Sequence, residues 1–211
     1  MRKTQRKLFI VFDGPEGGGK STQAKLLCEH LKQKGYDVVL TREPGGTKMA
    51  EMVRKIILSP RLQITPMAEL LLYEAARAQH IAEVIAPSLK ENKIVISDRF
   101  ADASVVYQGY ARGLGMKFVE TLNRLVVGGI TPDITFILDI HPDEGLSRIK
   151  NRTKNFDRME KEDLEFHHKI REGYLKLANR RKNFYIIDVN NKSSQEVHDI
   201  IVNILKRKFK L

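Results

Sequence analysis

The sequence predicts an α/β fold: a five-stranded parallel sheet with helices on both faces, closed into one domain over residues 1–211. Three observations carry that expectation. Apolar runs of strand length recur five times with helical patterns between them, the pattern of a parallel sheet covered on both sides. The stretch Gly14 to Ser21, GPEGGGKS, follows the first apolar run directly and leads straight into a helix-prone segment. A chain of 211 residues with 42% hydrophobic content can bury one core, and no linker or internal repeat divides it.

Leu8-Phe9-Ile10-Val11-Phe12 predicts a first strand over 8–13. The run is too short to be the core of a signal peptide, although the basic Met1-Arg2-Lys3-Thr4-Gln5-Arg6-Lys7 precedes it. Thr22-Gln23-Ala24-Lys25-Leu26-Leu27 predicts a helix over 19–34, and a second strand spans 37–41. Thr41-Arg42-Glu43-Pro44-Gly45-Gly46-Thr47 then turns tightly, because Pro and paired Gly favour a turn. Helices are expected at 47–58 and 66–90. The third strand, 93–97, delivers Asp98-Arg99-Phe100 to its carboxyl end. Helices at 101–110 and 115–128, a strand at 134–139, helices at 142–151 and 158–180, a strand at 184–188 and a helix at 193–207 complete the chain. Right-handed crossovers collect the carboxyl ends of parallel strands at one edge, where open α/β sheets bind ligands.

The chemistry follows from what reaches that edge. In GPEGGGKS the residues Gly14, Pro15, Glu16, Gly17, Gly18 and Gly19 let the backbone curl around an anion, and the helix that starts at Lys20, Ser21 and Thr22 turns its positive end toward it. Lys20 can reach the β- and γ-phosphates of a nucleotide, and the Ser21 hydroxyl is placed for Mg²⁺. Asp98 can hold a metal or its waters while Arg99 grips a phosphate with two parallel N–H donors. Standing alone, that dipeptide has a lesser alternative reading as a structural, helix-capping ion pair.

Tyr73 and Arg77 lie at i and i+4, where a ring can stack on a nucleobase and a guanidinium can donate to its carbonyl edge. Taken singly they read as packing and a solvated charge. Glu43 and Arg54 fall near the same edge, and without context a surface ion pair is the plainer reading. Residues 148–158 carry five cations, including Arg148, Arg152 and Arg158, and suit a lid that closes over a nucleotide. The phosphate loop holds no Arg, so transition-state charge must come from elsewhere, and arginines in that role are worth about 10³ to 10⁵ in turnover.

Other classes are poorly supported. The formal charge of +11, from 37 Lys and Arg against 26 Asp and Glu, suits polyanionic nucleotides, and no module for nucleic acid accompanies it. No stretch of 18 apolar residues predicts a membrane span. The single Cys28 allows no disulfide within the chain and points to a reducing, cytoplasmic compartment. His30, His80, His141, His167, His168 and His198 show no zinc spacing, and no Gly-x-Ser-x-Gly elbow occurs.

Taken together, GPEGGGKS, TREPGGT, the Tyr73 and Arg77 helix, DRFADASVVYQG from Asp98 to Gly109 and DRMEKEDLEFHHKIREGYLKLA from Asp157 to Ala178 resemble the bacterial type of thymidylate kinase, from Phe9 to about Asp188. The resemblance implies a P-loop nucleoside-monophosphate-kinase fold and transfer of the γ-phosphoryl of ATP to dTMP with Mg²⁺, on a homodimer. It implies that Glu16 faces the 3′-hydroxyl of dTMP and that Glu43 lies near the metal and acceptor phosphate. Arg54 and Arg99 would hold that phosphate, with Asp98 beside Mg²⁺. Tyr73 would stack on thymine, Arg77 would address O4, Ser104 and Gln108 would line the base pocket, and Tyr107 would stand where a 2′-hydroxyl clashes. Arg148 and Arg152, with Arg158, would supply lid charge. Two positions depart from the family: Tyr73 where Phe is frequent, and Ala103-Ser104 in place of Ser-Ser.

Two rivals remain at this level. A deoxynucleoside kinase needs a carboxylate base for a neutral hydroxyl and has no use for Arg54 and Arg99 around an acceptor phosphate. A nucleotide-driven switch or DNA-associated ATPase needs an acidic pair to activate water, and Asp139 after the fourth strand stands alone.

Overall fold

The computed structural model describes residues 6–211, so most of the basic run Met1 to Lys7 lies outside the described residues. Five parallel strands form one sheet: β1 (Leu8–Asp13), β2 (Val38–Arg42), β3 (Ile94–Asp98), β4 (Ile134–Asp139) and β5 (Phe184–Asp188), in the order β2-β3-β1-β4-β5. The central strands β1 and β4 are buried at every residue, which is why they read as unbroken apolar runs. The edge strand β2 has partly exposed positions.

Alternation along the strands divides the core. Leu8, Ile10 and Phe12 pack with Ala24, Leu27 and Leu31 of α1 (Lys20–Gln33) and Val197, Ile201 and Leu205 of α9 (Ser194–Phe209). On the opposite face, Phe9, Val11 and Val95 meet Ile81, Ile85, Leu89, Phe100 and Val127. Each large apolar side chain fully buried this way contributes about 1.5–3 kcal/mol. A one-residue slip of β1 would exchange both faces, so the register Phe12↔Asp98 and Phe12↔Phe136 is tightly specified.

The remaining helices are α2 (Lys48–Ile57), α3 (Pro66–His80), α4 (Ala86–Lys90), α5 (Ala101–Ser104), α6 (Met116–Val127), α7 (Pro142–Arg152) and α8 (Leu164–Ala178). Thr47 caps α2 by accepting from Ala50 N, and Ser193 and Glu196 form a reciprocal capping box on α9.

Three expected helices differ in detail. The segment expected at 66–90 is interrupted by a π-helical turn at Ile81–Ile85, where Ala86 N donates to Ile81 O. Pro87 sits in the first turn of α4, and widening the helix ahead of it avoids the clash a proline makes inside a regular one. The segment expected at 101–110 is α5 followed by a π-helical stretch, Val105–Ala111. The helix expected at 158–180 begins only at Leu164. Asp157 Oδ1 accepts from Met159 N and Glu160 N at 2.9 Å, Arg158 N donates to Leu58 O, and Asp163 caps α8 through Phe166 N at 2.7 Å. The local side-chain bonds, with the longer-range one to Leu58, satisfy the backbone in a turn.

Candidate active site

From β1 the chain runs first to one side of that strand, as β2 and β3, and later to its other side, as β4 and β5, so the strand order reverses at the end of β1. Ligand crevices in open sheets form at such a point. The glycine-rich loop lies there. Gly14, Gly17 and Gly19 have φ of 126, 74 and 85°, which a residue with a Cβ adopts at a cost. Lys20 opens α1 and donates Nζ to Pro15 O at 2.6 Å. Burial, with help from the nearby Arg99, lowers its pKa to about 8. Ser21 Oγ donates to Asp98 Oδ2 at the end of β3, joining two of the three residues expected at a metal; the third, Glu43, is not part of this contact. Thr22 lines the same cleft.

Behind the loop sits Arg99, a non-glycine residue at φ 72° whose N–H donates to Phe12 O at 2.8 Å. Its Nη1 donates to Asp13 Oδ1 (3.2 Å), Gly14 O (3.2 Å) and the Tyr174 hydroxyl (3.0 Å). Its Nη2 donates to Glu16 Oε1 (2.8 Å) and the Tyr107 hydroxyl (2.9 Å), and the guanidinium lies 4.9 Å from the Tyr107 ring centre. Tyr107 also donates to Glu16 Oε1 at 2.9 Å. Burial opposes charge on all of these groups, but the two acids respond differently. Burial wins at Asp13 and lifts its carboxyl to about 6, whereas Arg99, Lys20 and the Tyr107 hydroxyl overcome burial at Glu16 and hold it at about 2.

The cleft measures ≈ 720 Å³, within the range of small-molecule sites, and extends from the loop in two directions. One arm is lined by Glu43, Arg54, Tyr73, Ala103, Ser104, Tyr107 and Gln108. Arg54 donates Nη1 to Pro44 O at 3.0 Å, and burial together with Arg42 lowers its pKa. Glu43 borders the cleft but turns its carboxylate inward, to Arg77 Nε at 2.7 Å and His80 Nδ1 at 3.1 Å.

Tyr73 and Arg77 do not share the cleft as their spacing suggests. Arg77 is 1% exposed and stands behind the wall, outside the cleft lining. All its N–H groups have acceptors: Glu43 at Nε, Glu74 and Asn123 at Nη1, Phe100 O and Ser104 Oγ at Nη2. It reaches the cleft lining indirectly, through Ser104, 3.0 Å away, and through Glu43, 2.7 Å away. A fully buried guanidinium needs its charge paired and its donors used, and the acids of α3 and the β2 turn do so.

The other arm is lined by Arg148, Ile149 and Arg152 of α7, by Val189, Lys192 and Ser193 after β5, and by Ser194 and Val197 in the first turn of α9. Arg148 donates to Glu144 and to Val189 O, and Arg152 to Glu160 at 3.1 Å. Arg158 is held elsewhere, donating Nε to Ile57 O at 2.7 Å and Nη2 to Glu69 Oε2 at 2.6 Å. Asp139 pairs with Arg171 at 2.7 and 2.9 Å.

Four features of the site have no counterpart among the residues the sequence singled out: Asp13, Tyr174, Glu69 and the 189–197 wall. Asp13 could have been found as an acid at a strand end. Tyr174 and Glu69 lie on amphipathic helices with nothing in the sequence to mark them, since their partners are 161 and 39 residues away.

Comparison with known proteins places this geometry in context. Residues 12–201 match the family model described as thymidylate kinase. The thymidylate kinase of Caldanaerobacter subterraneus subsp. tengcongensis is 46% identical over 205 residues, covering 97% of this chain and 98% of that protein. The thymidylate kinase of Halothermothrix orenii is 44% identical over 203 residues, with 95% and 97% covered. The crystal structure of thymidylate kinase from Ehrlichia chaffeensis matches with a TM-score of 0.79 at 34% identity, covering 95% of this chain and 99% of that one.

Proposed function

From the premise that this chain belongs to the thymidylate kinase family and phosphorylates dTMP to dTDP with ATP as donor, we propose how its residues divide the work. The product is a step toward dTTP. The donor triphosphate lies along the glycine-rich loop and Lys20, with its nucleoside between α7 and the 189–197 wall. The acceptor lies in the arm lined by Tyr73, Ser104, Tyr107 and Gln108, its phosphate between Arg54 and Arg99.

The observation that carries this division is the polarity of the acceptor wall. Arg77 donates to Ser104 Oγ, which leaves the Ser104 hydroxyl proton free to point at the cleft. Gln108 sends its amide N–H to Glu69 at 2.6 Å, leaving its carbonyl as acceptor on the cleft side. One donor beside one acceptor fits the O4 and N3–H of thymine and opposes the amino group and bare N3 of cytosine. Arg77 then acts on O4 through Ser104. The thymine methyl is worth about 1–3 kcal/mol, so dUMP is a weaker substrate rather than an excluded one.

The chemistry is positioning and neutralisation. The acceptor phosphate is already an anion and needs no strong general base. Arg99 leaves Glu16 for that phosphate, and Glu16, freed, accepts from the sugar 3′-hydroxyl. Tyr107 closes the space a 2′-hydroxyl would need. Arg148 and Arg152 on the 148–158 lid bring charge to the phosphoryl group in flight. Ser21 and Asp98, in contact and both hard oxygen donors, suit Mg²⁺, which when bound spreads the charge of the donor phosphates. Glu43, with both oxygens engaged, would reach that ion only through water. The buried Cys28 supports a reducing, cytoplasmic setting. Exposed apolar side chains on α2, α3 and α6 support a homodimer.

The test is ADP release from Mg-ATP with dTMP, dUMP, dCMP or thymidine as acceptor. Strong preference for dTMP is expected, and Arg99→Ala should lose at least about tenfold in kcat/KM, near 1.4 kcal/mol. Preferential use of thymidine, or of no small acceptor, would remove the acceptor assignments.

A further inference from the structure

Glu69 is the one fully buried acid in the wall that holds Gln108, and the chemistry proposed above does not use it directly. Its Oε1 accepts from Gln108 Nε2 at 2.6 Å and Arg112 Nε at 3.4 Å; its Oε2 accepts from Arg158 Nη2 at 2.6 Å and Arg112 Nη2 at 3.3 Å. Glu162 completes the cluster on Arg112, so two carboxylates face two guanidinium groups and the charges balance. Arg112 also lies over the Phe166 ring, 4.4 Å from its centre, which fixes its plane.

A primary amide is nearly symmetric in shape, and Gln108 could present either end to the cleft at little steric cost. The neighbour on the far side decides which. A carboxylate clamped by two arginines only accepts hydrogen bonds, so the Gln108 NH₂ must turn toward it and the carbonyl must turn away. The reversed amide would set two acceptors against each other in a buried place, which is among the costliest polar arrangements.

We propose that Glu69 is a positioning residue that fixes Gln108 as an acceptor and thereby sets the enzyme's choice of thymine over cytosine. Arg112 and Arg158 serve that choice by occupying the other lone pairs of Glu69 and holding it still. This rests on the reading of Gln108 as a base contact. A glutamine at position 69 can donate as well as accept, so it would tolerate the flipped amide, whose N–H then meets the bare N3 of cytosine.

The experiment measures dissociation constants of dTMP and dCMP by calorimetry for wild type, Glu69→Gln, Gln108→Leu and the double variant, with KM for ATP alongside. Wild type should prefer dTMP. Glu69→Gln should lower the dTMP-to-dCMP preference at least tenfold with KM for ATP within about threefold of wild type, and the double variant should lose no more selectivity than Gln108→Leu alone, because the two residues act through one atom. If Gln108→Leu loses selectivity and Glu69→Gln keeps it within twofold, Glu69 has no such role while the base pocket stands. If Gln108→Leu also keeps it, Gln108 does not read the base and both readings fall. Should Glu69→Gln not fold, Glu69→Asp keeps the charge on the arginines but withdraws from Gln108 by one methylene. The same loss of preference is expected there, and unchanged preference overturns the proposal.

Discussion

Arg99 is surrounded by two acids of opposite behaviour, and the difference is measurable. Glu16 is lowered from 4.5 to about 2, so its folded form releases a proton that the unfolded chain still binds; the stability it contributes is complete above about pH 4.5 and is lost as pH falls toward 2. Asp13 is raised from 3.8 to about 6, so the folded chain keeps a proton that the unfolded chain has released, and stability declines as pH rises through that window. Asp13→Asn should therefore gain stability relative to wild type between pH 4 and 6, by an amount on the order of 2 kcal/mol. Glu16→Gln should lose most relative to wild type above pH 4.5. Thermal melts from pH 3 to 7 read both, and parallel curves for the two variants would contradict the assignment. The strained φ of 72° at Arg99 costs roughly 1–3 kcal/mol and holds because five acceptors and Phe12 O define where the residue must go. Asp98-Arg99 was legible as a site because it ends a strand; the cage around it was not, since Tyr174 comes from a helix 75 residues later.

At the level of elements, the phosphate loop and α7 meet through two glycines. A Cβ on Gly17 would lie 2.2 Å from Gly145 O, and a Cβ on Gly145 would lie 2.3 Å from Glu16 O. Both obstacles are backbone and cannot rotate aside. α7 also carries Arg148 and Arg152, so this contact sets how closely their helix approaches the loop. Gly145→Ala gains up to about 1 kcal/mol of helix propensity but must push α7 off the loop, and the clash dominates because it is far inside contact distance. The expected result is a kcat reduced about tenfold or more and a raised KM for ATP, with dTMP affinity within about threefold of wild type. Steady-state kinetics and calorimetry check it; unchanged kcat would show that α7 adapts. Gly17 stood out in the sequence as part of the glycine-rich loop. Gly145 did not, because a glycine in a first helical turn has many readings until its neighbour is known.

On the whole-molecule scale, the four most exposed large apolar side chains among the described residues, Leu125, Met52, Leu71 and Phe118, lie on three neighbouring helices. Met49, Met52 and Ile56 follow one face of α2, Met67 and Leu71 one face of α3, and Phe118 and Leu125 one face of α6, with α3 packed against both others. Exposed apolar side chains on helices packed in this way are expected to bury themselves against a second copy. Sedimentation velocity should give twice the 24.2 kDa chain mass at micromolar concentration, and Met52→Glu with Leu71→Glu should give the monomer. A wild type that sediments at 24.2 kDa would remove the homodimer. Among the described residues, no helix is long and apolar enough to cross a membrane.

The sequence by itself determined the sheet, the helical layers and the phosphate loop, because these depend on local periods and on glycines at fixed spacing. Val38–Arg42 and Ile94–Asp98 lie within one residue of the strands expected at 37–41 and 93–97. It also carried the family, through motifs whose order survives without coordinates. The tertiary structure alone decided which way the side chains face. Tyr73 and Arg77 share a helical spacing, but Glu43, Glu74, Asn123 and Ser104 draw the guanidinium inward and leave the ring at the cleft. Arg148, Arg152 and Arg158 look alike in a basic run, but Glu69 and Ile57 O take the last one away. Buried polar groups go where their partners are, and those partners come from elements that only folding brings together.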